Sequence, residues 1–163
     1  MKTLLIVWHS RTGGTQHMVQ AAADAAKASG EVRVVCLPAD AAELTHLLDA
    51  GAYLFAAPEN LAALSGCMKE FFDRLYYPAL GQLEGRPYAL MVCAGSDGSA
   101  AARQMQRICT GWRLREVAPA LIVCTHAQSP EAIAAPKALT NTDLARCAQL
   151  GETLSVGLAS GIF

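Results

Sequence analysis

Charged side chains are scarce in this sequence of 163 residues. Lys, Arg, Asp and Glu make up 17% of it, and 13 basic residues nearly balance 14 acidic ones, for a net charge of −1. This balance argues against a nucleic-acid-binding protein, which normally carries a basic stripe, and against a strongly acidic carrier that is steered towards basic partners. Hydrophobic residues account for 53% of the chain, which predicts a large core or an oligomer interface.

The cysteine spacing excludes two further classes of protein. The six cysteines form no C-x-x-C pair, and their spacing resembles neither a disulfide framework nor a zinc site, so we expect no metal centre. Most of them lie in apolar runs, which predicts small buried side chains in a reducing compartment. No apolar run is long enough for a membrane span, and the first is too short for a signal peptide. We therefore expect a cytoplasmic protein with no membrane partner.

Five short apolar runs predict five strands, of which the second is the weakest. Their apolar residues are mostly continuous rather than alternating, which indicates burial on both faces, as in a parallel sheet covered by helices. The predicted strands are 3–8 ("TLLIVW"), 32–37 ("VRVVCL"), 52–58 ("AYLFAAP"), 88–94 ("YALMVCA") and 119–124 ("PALIVC").

The segments between and after these runs predict helices. Small polar residues stand at several of their starts, with Asp40 as one candidate N-cap, and glycine or proline stands at several of their ends. In particular, the third helix should stop before Pro78. The predicted helices are 15–30, 40–51, 65–78, 99–112 and 140–159.

Strands that alternate with helices predict an α/β fold with one doubly wound domain, residues 1–163. A five-stranded parallel sheet of this kind commonly has the order 2-1-3-4-5, with helices on both faces. That order places a switch point between the first and third strands, and ligands bind there, at the carboxyl ends of the strands. Three loops, 9–15, 58–65 and 94–99, should converge at this point, and all are rich in Gly, Ser, Thr or Asn.

The first of these loops has the composition of a phosphate site. It contains three hydroxyl side chains, those of Ser10, Thr12 and Thr15, and the pair Gly13-Gly14. The glycines permit a close approach of the backbone, and the N-terminus of the following helix carries a positive partial charge. The pattern favours a terminal phosphate monoester, and an ordinary capped turn is the alternative.

Other phosphate-binding motifs do not match this chain. No Lys follows the glycines, as a Walker A loop requires, and G-x-G-x-x-G is absent. Trp8 and His9 stand where a response regulator would carry acidic residues. Cys67 and Arg74 lie within a predicted helix, whereas in a low-molecular-weight tyrosine phosphatase such residues frame a short loop.

Two motifs resemble those of a known group of flavoproteins. The stretch "SRTGGT" resembles the [ST]-x-T-G-x-T phosphate loop of flavodoxin-like FMN proteins. The stretch "APENLAALSGCMKEFFDR" (57–74) is similar to one in NAD(P)H-dependent FMN reductases and multimeric flavodoxin-type quinone reductases. Those families have a Pro-led flavin loop, a small-polar/Gly pair, and a helix with Lys and an Asp-Arg or Asp-Trp end. The corresponding residues here are Pro58-Glu59-Asn60, Ser65-Gly66, Lys69 and Asp73-Arg74.

The resemblance implies a flavodoxin-like three-layer sandwich with an FMN site at the three loops. The first loop would hold the phosphate, the backbone of the second would line the edge of the isoalloxazine ring, and the third would close its other side. Asp97 would accept a hydrogen bond from the flavin or serve only as a turn former. The implied cofactor-binding residues are Ser10, Arg11, Thr12, Gly13, Gly14 and Thr15; Pro58, Glu59, Asn60 and Leu61; and Ala94, Gly95, Ser96, Asp97 and Gly98.

One feature departs from these families. Flavodoxins usually stack aromatic side chains on the flavin, whereas residues 59–64 and 93–99 contain no aromatic residue. Two alternatives follow: either the ring face is open to substrate, or it is covered by Trp112, Tyr76 or Tyr77 of this chain or of a partner chain.

Several other charged or polar groups have local explanations. Lys69 with Asp73, and Glu70 with Arg74, are i,i+4 pairs, which we interpret as a solvated helix face rather than as catalytic residues. His9 adjoins the phosphate loop and is more simply structural than a ligand of the phosphate. The long segment 125–142, with its two prolines, is a candidate substrate lid or oligomer contact.

The function implied by the resemblance is that of an FMN oxidoreductase. NADPH or NADH would reduce FMN by two electrons, and a quinone, an azo compound or a similar small molecule would accept them. No catalytic side chain is expected, because the chemistry takes place at flavin N5. Arg11 is a candidate partner for the FMN phosphate or for the 2′-phosphate of NADPH. The related reductases are dimers or tetramers, which implies a homo-oligomer.

Two alternatives from other functional classes remain open. One is a flavodoxin-type electron carrier, which would normally be strongly acidic and keep aromatics on the flavin. The other is a non-enzymatic flavin-binding module, which the sequence does not exclude because the hydride acceptor is the cofactor itself.

Overall fold

The computed structural model describes residues 1–163 and contains seven strands and six helices. The strands are β1 (Thr3–Trp8), β2 (Arg33–Pro38), β3 (Ala52–Asn60), β4 (Ala63–Leu64), β5 (Pro87–Ala94), β6 (Arg115–Glu116) and β7 (Leu121–Cys124). The helices are α1 (Gly14–Ala28), α2 (Leu44–Asp49), α3 (Gly66–Ala79), α4 (Ser99–Gly111), α5 (Pro130–Ala134) and α6 (Asn141–Ser160).

The strands form one mixed sheet whose main part is parallel. Its order is β2-β1-β3-β5, and both β6 and β7 pair with the remaining edge of β5. The predicted order 2-1-3-4-5 is thereby confirmed, with the fifth position divided between two short strands. One antiparallel pairing was not expected from the sequence: β4 folds back on the end of β3 and pairs with Glu59 and Asn60.

Helices cover both faces of the sheet, as the continuous apolar runs predict. On one face, Leu4 and Ile6 of β1 pack in a core with α1 and α6. On the other face, Leu5 and Val7 pack in a second core with residues of α2, α3 and α4. All four β1 side chains are completely buried. The result is the expected three-layer arrangement, with the loops at the carboxyl edge of the sheet on one side of the molecule.

The second helix is shorter than predicted, and Asp40 does not cap it. Helix α2 begins after Glu43, whose backbone N–H donates to His46 Nδ1 at 3.0 Å. The preceding residues are held outside the helix because the Arg74 guanidinium donates to the carbonyl oxygens of Ala39 and Ala42, at 3.0 and 2.8 Å. These carbonyl oxygens accept hydrogen bonds from a side chain of α3 instead of from amides of their own helix. The periodicity of the sequence around residue 40 does not reveal this contact.

Pro78 does not end the third helix, contrary to the prediction. Helix α3 continues to Ala79 and contains Pro78 in its last turn. A proline so close to the C-terminus removes one intrahelical hydrogen bond and leaves the rest of the helix intact. The Pro78 carbonyl accepts a hydrogen bond from Gln82 Nε2 at 2.7 Å, which satisfies one of the acceptors freed at the helix end.

Helix α6 packs closely on α1 at a glycine. A methyl group at Gly151 would overlap the backbone of Ala22, including its carbonyl oxygen. Gly151 therefore sets the distance between the two helices that form one outer layer. No helix in the structure combines the length and apolarity needed to cross a membrane.

We predict that Gly151→Ala destabilises the protein by about 2–3 kcal/mol, because the two backbones must move apart. Helix propensity alone predicts the opposite, a gain of about 1 kcal/mol. Urea unfolding, followed by the fluorescence of buried Trp112, measures the difference. Gly157→Ala on the same helix is the matched control, because the atoms nearest to its methyl group belong to the side chain of Phe163 near the C-terminus, which can rotate, and not to a backbone. A Gly151→Ala variant as stable as wild type would contradict the close contact.

Candidate functional site

A cleft of about 820 Å³ opens at the carboxyl edge of the sheet. The segments that line it follow β1, β3, β5 and β7, so four strand ends contribute rather than the three expected. Its volume lies in the range of small-molecule and cofactor sites. The geometry agrees with the rule that ligands of open α/β sheets bind at the switch point of the strand order.

Most of the cofactor-binding residues predicted from the sequence lie along this cleft. Those that line it are Ser10, Arg11, Thr12, Gly14, Thr15, Pro58, Glu59, Asn60, Leu61, Ala94, Gly95 and Ser96. Gly13, Asp97 and Gly98 do not line it. Gly13 and Gly98 are the N-caps of α1 and α4, and Asp97 accepts a hydrogen bond from Ser99 Oγ at 2.7 Å, which supports its interpretation as a turn former. The contact of any of these residues with FMN stays a prediction.

A fourth wall of the cleft comes from residues 125–137, which we call the strap. Eight lining residues were not among the predicted cofactor-binding residues, and six of them belong to the strap: Ala62, Cys93, Thr125, Ala127, Gln128, Ile133, Ala134 and Lys137. The one sequence signal for it was the length of the segment and its two prolines. The strap reaches across to the first loop, where the Lys137 backbone N–H donates to the Thr12 carbonyl at 2.8 Å.

The two glycines of the first loop are each required, Gly13 by its backbone conformation and Gly14 by close packing. Gly13 has φ +95°, a conformation that favours glycine, and its N–H donates to Ser10 Oγ at 3.1 Å. At Gly14 a methyl group would overlap Cys93 Sγ, so the start of α1 sits directly against the end of β5. The amides at the start of α1 are thereby brought to the floor of the cleft.

Thr15 has a hydroxyl group that the protein leaves unsatisfied. Its side chain lines the cleft and is 1% exposed, and Thr15 Oγ1 is the one buried side-chain oxygen or nitrogen without a hydrogen-bond partner in the structure. Leaving a buried hydroxyl unpaired costs free energy. A ligand atom that accepts a hydrogen bond at this position would remove that cost.

The charges at the cleft favour an anion. Arg11 is exposed and makes no hydrogen bond or ion pair, whereas Lys137 Nζ donates to the carbonyl oxygens of Ala132, Ile133 and Ala135 at the end of α5. The only lining carboxylate, that of Glu59, already accepts from two backbone amides, Gly98 N and Ala101 N. Arg11 is therefore the free charge along the cleft.

The second loop folds back on itself as an antiparallel turn, and we call residues 58–64 the hairpin. Leu61 and Ala62 connect β3 to β4, and both have positive φ, 52° and 56°. Leu61 is fully exposed although it is apolar, and it lies at the rim of the cleft. The strap carries another exposed apolar side chain that lines the cleft, Ile133. Both the hairpin and the strap therefore offer an apolar side chain to a ligand.

No aromatic side chain lines the cleft. Trp112 is buried in the core, stacked on Tyr76, and its Nε1–H donates to the Tyr76 carbonyl at 2.9 Å. Tyr77 is exposed on α3, away from the lining residues. The structure therefore excludes cover of the ring face by Trp112, Tyr76 or Tyr77 of the same chain. A ring face that is open to substrate and one that is covered by a partner chain both stay predictions.

The ionisable groups near the cleft are held in structural roles. His9 Nδ1 lies 3.0 Å from Ser65 Oγ and does not line the cleft, and burial, with help from Arg11, lowers the pKa of His9. Burial raises the pKa of the Cys93 thiol to about 11, so it is neutral at pH 7 and a poor nucleophile. Neither His9 nor Cys93 is therefore placed as a general base or a nucleophile of the cleft, and the expectation that no side chain is catalytic stays a prediction.

The predicted ion pairs on α3 are present. Lys69 Nζ lies 2.6 Å from Asp73 Oδ1, and Arg74 Nε lies 3.0 Å from Glu70 Oε1. None of these four residues lines the cleft, and Arg74 in addition donates to the carbonyl oxygens of Ala39 and Ala42.

Comparison with protein families identifies a match over more than half of the chain. Residues 37–128 match the family of NADPH-dependent FMN reductases. The matched range includes the hairpin and the turn that follows β5, whereas the first loop lies before it. A flavodoxin of Aquifex aeolicus is 28% identical over 97 residues, which cover 60% of this chain and 50% of that protein. The match thus spans about half the length of this curated relative.

Solved structures share the fold at low sequence identity. An archaeal flavodoxin has a TM-score of 0.76 at 18% identity, with 96% of this chain and 98% of that chain covered. A flavodoxin, WrbA-like protein from Agrobacterium tumefaciens has the same TM-score at 16% identity, with coverage of 98% and 99%. Rubredoxin oxygen:oxidoreductase from Desulfovibrio gigas reaches 0.80 at 14% identity, over 99% of this chain and 37% of that one. These likenesses establish a flavodoxin-like fold.

The residues present fit FMN. At one end of the cleft, three hydroxyl groups and the backbone at the start of α1 are suited to a phosphate dianion, and Thr15 supplies a buried hydroxyl that lacks a partner. At the other end, the hairpin offers backbone groups and an apolar rim, which suit the edge and face of a planar ring. Arg11 adds a positive charge, and no free carboxylate opposes it.

We predict that Thr15→Val has opposite effects on stability and on phosphate binding. The ligand-free protein should gain about 1 kcal/mol in free energy of unfolding, because an unpaired buried hydroxyl is replaced by a methyl group of similar size. The affinity for FMN should fall about tenfold through loss of one hydrogen bond to a charged group. Denaturant unfolding and quenching of flavin fluorescence measure the two effects.

Riboflavin and a second threonine provide the controls. Riboflavin lacks the phosphate, so its affinity should not change in Thr15→Val. Thr3 is also buried, but its Oγ1 accepts from Arg33 Nε at 3.1 Å, so Thr3→Val should destabilise the protein rather than stabilise it. If Thr15→Val weakened FMN and riboflavin equally, the hydroxyl would not lie at the phosphate.

Proposed function

Because the chain belongs to the NADPH-dependent FMN reductase family, we propose that it is an FMN-dependent oxidoreductase. In this proposal NADPH or NADH supplies two electrons, and a small acceptor such as a quinone or an azo compound receives them. The observation that carries the proposal is an open cleft whose lining includes the exposed apolar side chains of Leu61 and Ile133 and no aromatic side chain. A planar nicotinamide and a planar acceptor can each approach a ring bound there.

The first loop is the part of the chain that holds the cofactor. Ser10, Thr12 and Thr15 direct hydroxyl groups to the phosphate end, and the backbone at the start of α1 adds N–H donors. The strap is joined to the first loop by the hydrogen bond from the Lys137 backbone N–H to the Thr12 carbonyl, so it borders the phosphate end of the cleft. These contacts bind and orient the group, and FMN when bound supplies the redox chemistry.

The hairpin and the turn after β5 define the other end of the site. Their backbone groups offer donors and acceptors to the edge of a ring, and Leu61 and Ile133 offer apolar contacts to its face. The proposal assigns proton transfer to no side chain: the lining residues contain no histidine, and the one carboxylate accepts from two backbone amides.

A flavodoxin-type electron carrier is the second candidate. The relative from Aquifex aeolicus is a flavodoxin, and its similarity favours this function. The net charge of −1 and the absence of an aromatic side chain at the cleft favour the reductase. A flavin-binding module without turnover is distinguished from both by the experiment below.

The remaining parts of the proposal concern assembly and compartment. Large apolar side chains are exposed on several elements, among them Tyr77, Leu80 and Val156, which supports a homo-oligomer, a dimer or a tetramer. All six cysteines are free, which supports a cytoplasmic location.

We predict that the protein retains FMN on desalting and that anaerobic NADPH bleaches the flavin absorption within seconds. A quinone added afterwards should restore the oxidised spectrum. A retained flavin that does not react with either nicotinamide nucleotide, and that accumulates a one-electron-reduced form on stepwise chemical reduction, would identify a carrier. A retained flavin that does neither would identify a binding module. If no FMN binds, the proposed function is wrong.

We further predict that Arg11 selects NADPH over NADH. Its guanidinium is exposed and unpaired at the cleft, so it is available to a 2′-phosphate. Arg11→Met should raise the KM for NADPH about tenfold, as expected for the loss of a charge-assisted contact, and leave the KM for NADH unchanged. Arg107→Met, which removes an exposed arginine of α4 outside the cleft, is the control. Weaker FMN binding with equal effects on both nucleotides would instead place Arg11 at the flavin phosphate.

A further inference from the structure

The hairpin holds two residues in a conformation that their side chains disfavour. A two-residue hairpin turn with positive φ at both central positions is most often Asn-Gly, because these residues adopt that conformation at low cost. Here the positions are occupied by Leu61 and Ala62, with φ of 52° and 56°. Local preference does not favour this turn, so contacts elsewhere in the protein must hold it.

Those contacts come from α4. Glu59 Oε1 accepts from the backbone N–H of Gly98 at 3.0 Å, and Glu59 Oε2 accepts from that of Ala101 at 3.1 Å. On the other arm of the hairpin, the Leu64 N–H donates to Gln104 Oε1 at 2.6 Å. Both arms of the turn are thus bonded to the first half of the same helix.

The N-cap residue of α4 cannot supply a capping side chain, and among the helical amides Asp97 accepts only from the first, that of Ser99, at 3.4 Å. The N-cap position is Gly98, which has no side chain and has φ +83°. A methyl group at Gly98 would lie 2.6 Å from Ile122 Cγ2 and 3.1 Å from Ala94 Cβ, so close packing against the sheet excludes a capping side chain there. An N-cap residue normally accepts a hydrogen bond from the third helical amide, here that of Ala101. Glu59 accepts that bond from another part of the chain.

We propose that Glu59 is a positioning residue that locks the hairpin to α4 and so fixes the ring side of the cleft before a ligand enters. Its carboxylate supplies the helix cap that Gly98 lacks, and α4 in return holds Leu61 and Ala62 in their disfavoured turn. The inference rests on the proposed function only for the identity of the ligand, FMN. The lock itself is a property of the ligand-free protein.

The lock is tested first without any ligand. In Glu59→Ala the amides of Gly98 and Ala101 lose their acceptors, so their hydrogen exchange should accelerate about tenfold or more relative to amides in the middle of α4. Glu59→Gln keeps one acceptor oxygen and should restore part of the protection. Glu152→Ala, an exposed glutamate of α6 without a side-chain partner, controls for loss of charge. Unchanged exchange at both amides in Glu59→Ala would overturn the proposal.

A double-mutant cycle then tests the link to the turn. The variant Leu61→Asn/Ala62→Gly, which we call the relaxed hairpin, adopts the same turn by local preference. In the native hairpin, Glu59→Ala should raise the Kd for FMN about tenfold, because the bonds between the Glu59 carboxylate and α4 that hold the turn are lost. In the relaxed hairpin, which does not depend on these bonds, the same change should raise the Kd at most about twofold. FMN fluorescence quenching measures all four affinities.

The cycle separates this proposal from a general loss of stability. If Glu59 only supported the fold, its removal would raise the Kd for FMN equally in the native and the relaxed hairpin, and that result would overturn the proposal. If the wild-type protein bound no FMN, the proposed function would fail, whereas the exchange rates of the Gly98 and Ala101 amides would still decide the lock.

Discussion

Strands β1, β3 and β5 have almost no face that water can reach, so every group along them must find its partner within the protein. Parallel pairing satisfies their backbone, and helices on both faces bury side chains such as Leu4 and Leu5. Because the helices lie outside the sheet, the segment that follows each of these strands leaves the sheet at the carboxyl end of the strand and continues into an outer helix. The cleft is the place where those segments leave the sheet together, which is why its walls are loops and helix starts.

The sequence predicted those features that depend on local patterns. The strands and their order followed from continuous apolar runs alternating with helices, and the first loop followed from its glycines and hydroxyl residues. One error lies where a distant side chain intervenes. Arg74 occupies the carbonyls of Ala39 and Ala42 and so delays the start of α2, and no periodicity near residue 40 reports an arginine on another helix. The extension of α3 through Pro78 has a different, local cause, because a proline in the last turn removes only one hydrogen bond of the helix.

The candidate site also combines parts that local patterns predicted with parts that they did not. The first loop, the proposed phosphate end, was recognisable because its residues are neighbours in sequence. The hairpin carried no turn signal, because Leu61 and Ala62 are not residues that favour positive φ. Its anchors join residues about forty positions apart, at Glu59 with Gly98 and at Leu64 with Gln104. The strap was visible only as a long segment, because its contact with Thr12 is made by a backbone amide, which every residue except proline possesses.

The two ends of the cleft are therefore built on different physical principles. At the proposed phosphate end, Gly14 lies against Cys93 with no space for a side chain, and the buried hydroxyl of Thr15 lacks a partner within the protein. At the proposed ring end, the geometry depends on a turn whose cost is offset by a carboxylate and a helix start. In the proposed function, a change at Thr15 therefore weakens binding through a direct contact with the phosphate, whereas a change in Glu59 weakens it through the geometry of the hairpin.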